Sequence, residues 1–380
     1  MDFNLNEEQL AKQGFFREFA QNEVKPLSEG MDENEKFDLG LLKKLHEQGF
    51  MNIPYSEEYG GQGCGYVEYA LAVEELSKVD ATTGITVSVH TSLACSGIDN
   101  FGTPEQKEKW LRPMLEGGLT GCFGLTEPGA GSDAAGQLTE AVKDGDSYVI
   151  NGSKIFTTNA QYADTFFLFA MTDKSLGTKG ISAFVIDGKT PGLVVGESIP
   201  RMGIRGASNC EVAYKDVRIP AENLIGKEGD GFKCAMKTLD AGRIGVAAQA
   251  LGIAQGALDD AIAYVKERQQ FGRTIASFQN TQFKIADLQT QIDAARLLVY
   301  RAAATKDGGA PYGQYAAMAK LFASRTANDV AREAVQMLGG YGYCREYGVE
   351  RKLRDAKITE IYEGTSEIMK MVIAGSMRIG

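Results

Sequence analysis

The spacing of apolar residues divides the chain into three parts. Over residues 1–118 the apolar positions recur every three or four residues, as at Phe16 and Phe19, which predicts amphipathic helices. Over residues 119–228 short β-branched and aromatic runs are broken by Gly, Asp and Asn, which predicts strands joined by turns. Helical spacing returns over residues 229–380.

This order predicts an α+β multidomain fold, with an N-terminal α-helical domain, a middle β-sandwich or barrel domain and a C-terminal four-helix-bundle domain. In the middle part, residues 144–146 (Asp-Gly-Asp) separate two apolar runs and predict a hairpin turn. Three long helices and a last helix after Gly364 are predicted in the third part. The predicted strands are 138–143, 147–150, 165–171, 181–186, 193–199 and 210–214.

The least charged stretch, residues 81–98, contains too many hydroxyl side chains for a membrane span. It is predicted to form a buried helix. Residues 1–4 are acidic and show neither an apolar signal core nor an Arg-rich targeting pattern. These features predict a soluble chain without membrane attachment, cytoplasmic in a bacterium, or in the mitochondrial matrix if the sequence is a processed eukaryotic form.

Composition narrows the chemistry. The formal net charge of −10 argues against nucleic acid as a partner. The six cysteines are scattered without a C-x-x-C pair, which is typical of reduced thiols. There are only two histidines, His46 and His90, and neither has metal-ligand spacing or a G-x-S-x-G elbow beside it. Metal binding and serine hydrolysis are therefore not expected.

Two segments of the middle part could hold a planar ligand. Residues 122–133 (CFGLTEPGAGSD) form a glycine-rich turn with nearby hydroxyls, but the same pattern is typical of an ordinary loop. Residues 154–160 (KIFTTNA) place an aromatic ring beside threonine hydroxyls, which suits stacking on a heterocycle. A core phenylalanine with surface threonines is the simpler interpretation of that segment.

The helical C-terminal part contains three further candidate segments. Arg268, at the end of a long helix, could bind a pyrophosphate or simply interact with the helix dipole. The glycines of residues 336–340 could admit a ligand or end a helix. Glu363 precedes a helix start, where a capping role is usual, and a catalytic role requires an apolar pocket that raises its pKa.

Taken together and in this order, the segments resemble the acyl-CoA dehydrogenase family over nearly the full length. The first signature is similar to GLTEPGAGSD at residues 124–133, and the second to QMLGG at 336–340 with YEGTSEI at 362–368. Within the family, the short-chain, butyryl-CoA-like branch is the most similar. The resemblance implies an FAD enzyme with Glu363 as catalytic base and no metal.

The resemblance also assigns binding residues. Phe156 stands where family members commonly carry Trp, and the positions from Arg268 to Gly340 would contact FAD from a neighbouring subunit. The implied acyl-CoA contacts are Ser132, Asp240, Arg243, Tyr362 and Gly364. The implied FAD contacts are Phe123, Leu125, Thr126, Gly131, Ser132, Phe156, Thr157, Thr158, Arg268, Gln270, Phe271, Gln279, Gln336, Leu338, Gly339, Gly340, Thr365 and Glu367.

The assignment to the short-chain branch can be checked at one position of the sequence. Some relatives place their base on the helix that matches residues 239–243, and the matching position here is Gly242, which cannot serve. The implied reaction is α,β-dehydrogenation of a short acyl-CoA to the trans-2-enoyl-CoA. Electrons would pass to an electron-transferring flavoprotein, and the enzyme would be a homo-oligomer, usually a tetramer. The alternatives are an enoyl-CoA reductase, an acyl-CoA oxidase and an inactive flavin-binding scaffold.

Overall fold

The computed structural model describes residues 4–378, so most of the acidic N-terminal segment considered above (residues 1–3) lies outside the described residues. The N-terminal part is helical as predicted. Asp38 caps the helix that begins at Leu39, and Thr103 and Gln106 form a capping box where the helix at Pro104 begins. Its helices are α1 (Glu7–Phe19), α2 (Lys25–Asn34), α3 (Leu39–Glu47), α4 (Tyr66–Val79), α5 (Ala81–Ser88), α6 (Ser96–Phe101), α7 (Pro104–Gln106) and α8 (Arg112–Glu116).

The weakly charged stretch is a buried helix, as predicted. A π-helical segment, Val89–Cys95, joins α5 to α6, and every residue from Ala81 to Ile98 is buried. Serine and threonine hydroxyls in this stretch bond to carbonyls one turn earlier, which satisfies them inside the protein. Among residues 4–378, none of the helices combines the length and apolar character required to cross a bilayer.

The middle part is one mixed sheet with the order β6-β7-β3-β2-β4-β5-β8, and β1 pairs in parallel with β4. The predicted hairpin is confirmed, because Asp144 of β2 pairs with Ser147 of β3 across a two-residue turn. The strands are β1 (Gly121–Gly124), β2 (Glu140–Asp144), β3 (Ser147–Thr158), β4 (Thr165–Met171), β5 (Ile181–Asp187), β6 (Leu193–Ser198), β7 (Asn209–Pro220) and β8 (Leu224–Ile225).

Two strands are longer than predicted. β3 and β7 each run for 12 residues, and their pairing continues through two register shifts, one between Ile150 and Gly152 and one between Lys154 and Thr157. β1 was not predicted. It is only four residues long and has glycine at both ends, so its sequence carries little strand signal.

The C-terminal part is helical as predicted, with α12 as an unpredicted addition. Most side chains of α12 are charged, so its sequence shows little apolar periodicity. Its buried positions are Val349, Lys352, Asp355 and Ala356. A short hairpin joins the first two long helices, and it consists of two antiparallel strands of two residues each, β9 (Gln269–Gln270) and β10 (Arg273–Thr274). The helices are α9 (Gly231–Glu267), α10 (Gln279–Asp307), α11 (Gly313–Leu338), α12 (Val349–Ile358) and α13 (Ser366–Ser376).

The long helices α9, α10 and α11 pack on one another, and α9 and α10 also pack on α4 from the N-terminal part. Close contact between α4 and α9 depends on glycine. A Cβ atom at Gly252 would lie 2.3 Å from the Glu74 carbonyl oxygen, and one at Gly256 would lie 2.1 Å from that of Lys78. The bundle therefore joins the first and third parts of the chain through one hydrophobic core.

A buried ion pair fixes the glycine-rich loop to the sheet. The Lys154 ammonium donates to Glu127 at 2.8 Å, to Gln137 at 3.0 Å and to the Leu125 carbonyl at 3.1 Å. Burial alone would raise the pKa of Glu127, but Lys154 and the amides of residues 138 and 139 hold it below its usual range. The charges are matched, which makes each partner costly to lose alone.

Lys154→Met is expected to lower the free energy of unfolding by on the order of 3–5 kcal/mol, because it leaves the Glu127 carboxylate buried and unpaired. Arg218→Met is the matched control. Its ion pair with Asp144 is exposed, with 56% and 62% of the side chains accessible, and its loss should change stability by less than about 1 kcal/mol. Denaturant unfolding measures both, and equal losses in the two variants would contradict the account.

Candidate active site

A cavity of about 590 Å³ lies where the three parts of the chain meet. The buried helix of residues 81–98 and α9 form its apolar wall with Ile85, Val89, Leu93, Met236 and Leu239. The first strand and the glycine-rich loop, the bulged end of β3, residues 201–204, α12 and the segment before α13 close the other sides. A carboxylate, Glu363, projects from this last segment into the cavity.

Glu363 is held in a left-handed backbone conformation, with φ of +51°. Both of its carboxylate oxygens are buried and have no hydrogen-bond partner within the described residues. Burial raises the pKa of Glu363 to about 7, against the opposing attraction of the Lys320 and Arg243 cations. A carboxylate in this state is poised to accept a proton at neutral pH.

Gly242 faces the Glu363 carboxylate from α9. A Cβ atom at position 242 would lie 2.1 Å from Glu363 Oε2 and 2.7 Å from Leu93 Cδ2. Position 242 is therefore adjacent to Glu363, and the space that a side chain there would fill is taken by the Glu363 carboxylate.

The two candidate segments of the middle part meet at the cavity. Ile155 N–H donates to the Thr126 carbonyl at 2.8 Å, which holds the glycine-rich loop against β3. A Cβ atom at Gly131 would meet nothing within 4 Å, so ligand atoms can approach that backbone closely. Phe123, Leu125, Ser132 and Thr158 also line the cavity, together with Thr126, Gly131 and Phe156.

The simpler interpretation of residues 154–160, a core phenylalanine with surface threonines, is wrong, because the bulge in β3 turns the aromatic ring outward and the threonines inward. Phe156 has φ of +58° and is 57% exposed, whereas Thr157 and Thr158 are buried. Asn209 of β7 holds this conformation, because its amide donates to the Phe156 carbonyl at 3.2 Å and to the Thr158 hydroxyl at 3.0 Å. Two buried oxygens have no hydrogen-bond partner among residues 4–378: the side-chain amide oxygen of Asn209, which lines the cavity, and the Thr157 hydroxyl, which does not.

The implied acyl-CoA positions gather near Glu363, with one exception. Arg243, Tyr362 and Gly364 line the cavity, as does Ser132, whereas Asp240 does not. Asp240 accepts from the Arg243 guanidinium at 2.6 Å and so fixes that cation. Of the remaining predicted positions at this end, Thr365 lines the cavity and caps α13, and Glu367 points to solvent.

The predicted positions from Arg268 to Gly340 do not line the cavity. They lie at one end of the helical bundle, where the Arg268 guanidinium stands 5.3 Å from the centre of the Tyr341 ring. Phe271 beside it is 94% exposed. The residues of this group, which we call the bundle-end group, are Arg268, Gln270, Phe271, Gln279, Gln336, Leu338, Gly339 and Gly340.

Several cavity residues were not predicted. Ile85, Val89 and Leu93 recur every four positions, a signal that marks one helix face but does not distinguish a ligand cavity from core. Residues 201–204 form an irregular loop with no sequence signature. Within the described part of the chain, no group of three or more His, Cys, Asp and Glu residues is arranged to hold a metal ion.

Known proteins match this chain throughout. Family models match residues 6–118 as the acyl-CoA dehydrogenase N-terminal domain, 122–217 as the middle domain and 229–378 as the C-terminal domain. A short-chain specific acyl-CoA dehydrogenase of Clostridium acetobutylicum is 55% identical over 99% of this chain and 100% of the relative.

Two solved structures have the same fold. Butyryl-CoA dehydrogenase from Megasphaera elsdenii has a TM-score of 0.98 and 49% identity, with 100% of both chains covered. A chain in the structure of the electron transferring flavoprotein of Acidaminococcus fermentans has a TM-score of 0.98 and 53% identity, also with complete coverage. The predicted three-domain fold is therefore confirmed, and the chain belongs to the acyl-CoA dehydrogenase family.

Proposed function

We propose that this chain oxidises a short-chain acyl-CoA to the trans-2-enoyl-CoA, with Glu363 as the base. The Glu363 carboxylate, which is buried and has no hydrogen-bond partner among the residues that the structure describes, carries this proposal. A carboxylate buried without partners is costly to maintain, so its presence in a cavity favours a working base over an inactive scaffold. The short acyl group follows the short-chain and butyryl-CoA relatives, which match the whole chain.

Glu363 would remove a proton from the carbon beside the thioester. That proton is only weakly acidic, so the base must be desolvated and the developing enolate stabilised. The Glu363 amide N–H donates to no acceptor among residues 4–378, and it can therefore donate to the thioester carbonyl. A donor of this kind is worth on the order of 3 kcal/mol in the transition state.

FAD fits the residues of the middle part. The exposed ring of Phe156 offers an apolar face, and the side-chain amide oxygen of Asn209, which lines the cavity and has no partner among residues 4–378, can accept a hydrogen bond from the edge of a polar heterocycle. Leu125, Thr126 and the open backbone at Gly131 would hold the ring from the loop side. When bound, FAD supplies the two-electron acceptor for the reaction.

The bundle-end group is proposed to hold FAD that belongs to a neighbouring copy of this chain. These residues lie together but away from the Glu363 cavity, and exposed Phe271 is unfavourable in a free monomer. A homo-oligomer, a tetramer in the family pattern, would cover them. We propose an electron transferring flavoprotein as the partner that accepts the electrons, since the structure of the electron transferring flavoprotein of Acidaminococcus fermentans contains a chain 53% identical to this one.

Glu363→Gln keeps the size of the side chain but removes its ability to accept a proton. We expect the flavin to stay bound, with flavin reduction by butyryl-CoA slowed by roughly 10²–10⁴-fold. Anaerobic stopped-flow absorbance measures the rate. Flavin reduction at the wild-type rate would show that Glu363 is not the base.

Two measurements on the wild-type enzyme distinguish the alternative activities. Oxygen uptake with acyl-CoA alone would indicate the oxidase, and efficient turnover only with enoyl-CoA and a reductant would indicate the reductase.

Gly242→Ala is expected to slow flavin reduction by about 100-fold, because the new methyl group displaces the Glu363 carboxylate. Bound flavin should remain unchanged. Gly14→Ala is the matched control, since a methyl group there, also in a helix, meets nothing within 4 Å. If Gly242→Ala reduced flavin as fast as this control, Glu363 would not be the group that is displaced.

Arg268→Ala is expected to weaken flavin retention more than acyl-CoA affinity, with exposed Arg218→Ala as control. The flavin-to-protein ratio after dialysis measures retention.

Whether two subunits share one FAD site is tested by co-expressing Arg268→Ala with Glu363→Gln chains. Mixed oligomers should contain sites with both native residues and recover activity. Full flavin content in Arg268→Ala, or no recovery on mixing, would contradict the shared site.

A further inference from the structure

Lys320 is a buried lysine that the proposed chemistry has not used. It lies on α11 between small residues, Ala316, Ala319 and Ala323, and none of the residue is accessible to solvent. Its ammonium donates to the carbonyl oxygen of Gly364 at 2.6 Å. A buried ammonium is costly without strong partners, so this position has a specific requirement for a cation.

The bond falls on the Gly364–Thr365 peptide, one residue after Glu363. Glu363 and Gly364 both have positive φ, +51° and +99°, and a Cβ atom at Gly364 would lie 2.6 Å from Met369 Cε. Two consecutive left-handed residues are held only where the surroundings determine the conformation. The Lys320 bond to the Gly364 carbonyl is such a constraint, and it fixes the direction in which the Glu363 side chain leaves the backbone.

The charges around Glu363 come from several elements. Arg243 on α9 is the second cation, and it is already paired with Asp240. Tyr69 on α4 and Tyr362 also interact electrostatically with Glu363, and both are neutral phenols at neutral pH. Lys320 in turn is acted on by Glu363, Arg243, Glu360 and Glu367. Burial lowers the pKa of Lys320 to about 8, so it is still charged at neutral pH.

We infer that Lys320 is a positioning residue for the base, because its ammonium anchors the Gly364–Thr365 peptide beside Glu363 and places a positive charge that acts on the Glu363 carboxylate. The inference rests on the proposed function of Glu363. A purely structural lysine would contribute to stability alone, and replacing it would leave the pH dependence of the reaction unchanged. Replacing a positioning lysine would change that pH dependence.

Three variants separate the charge, the hydrogen bond and general burial. Lys320→Met removes the charge and the bond, whereas Lys320→Gln retains a donor for the Gly364 carbonyl without the charge. Lys352→Met is the matched control: Lys352 is also buried, bonds to the Gly256 carbonyl at 3.3 Å and to Asp260, and does not line the cavity. Each is prepared as the flavin-loaded enzyme.

The first readout is the rate of flavin reduction by butyryl-CoA as a function of pH. Removing a cation near Glu363 raises the pKa of the base, so the acid limb should move to higher pH by about one unit in both Lys320 variants. The plateau rate at high pH should fall about tenfold or more in Lys320→Met, where the peptide is no longer anchored, and less in Lys320→Gln. Lys352→Met should show the wild-type limb and plateau.

The second readout does not depend on turnover. Infrared difference spectra, with Glu363→Gln as the reference, follow the carbonyl stretch of protonated Glu363 during a pH titration. The midpoint should rise in Lys320→Gln and Lys320→Met but not in Lys352→Met. Lys320→Gln tests the charge even if Lys320→Met does not fold.

Unchanged infrared midpoints and unchanged acid limbs, with only a lower melting temperature, would overturn the inference and leave Lys320 a structural residue. Failure of the proposed function gives a different result. In that case Glu363→Gln itself retains the wild-type rate of flavin reduction, whatever the Lys320 variants show.

Discussion

The carboxylate of Glu363 is buried and has no hydrogen-bond partner in the described part of the chain, and the cavity that holds it is lined by all three parts of the chain. A carboxyl group removed from water favours its protonated form, and a hydrogen bond or close cation would reverse that preference. The pKa of about 7 reflects a balance between burial and the two nearby cations. Neither burial nor charge alone would leave a base that is both ionised and reactive at neutral pH.

No single part of the chain can produce this environment. The apolar wall comes from the buried helix of the first part and from α9 of the third, while the opposite side comes from the sheet. Glycines at 252 and 256 bring α4 and α9 together, and the Lys154–Glu127 pair holds the glycine-rich loop. Packing far from Glu363 therefore determines how dry its surroundings are.

Sequence pattern predicted the parts of this arrangement that depend on local rules. The three-part division, the hairpin at residues 144–146 and the helix start at Thr365 all follow from periodicity, turn residues and capping. Helix α12 was missed because charged side chains dominate it, and β1 because glycines flank it. The outward turn of Phe156 was also missed, since a bulge that depends on Asn209 of another strand leaves no local signal. Lys320 was missed because its partner, the Gly364 carbonyl, is 44 residues away.

The central claim, that a desolvated Glu363 with a pKa near neutrality removes the proton beside the thioester, has one direct measurement. It is the single-turnover rate of flavin reduction by butyryl-CoA, with hydrogen or deuterium at that carbon, across the acid and neutral range. We expect an acid limb centred at about 7 and a clearly slower rate with deuterium. A limb in the ordinary glutamate range of about 4.3, or equal rates for the two isotopes, would contradict it.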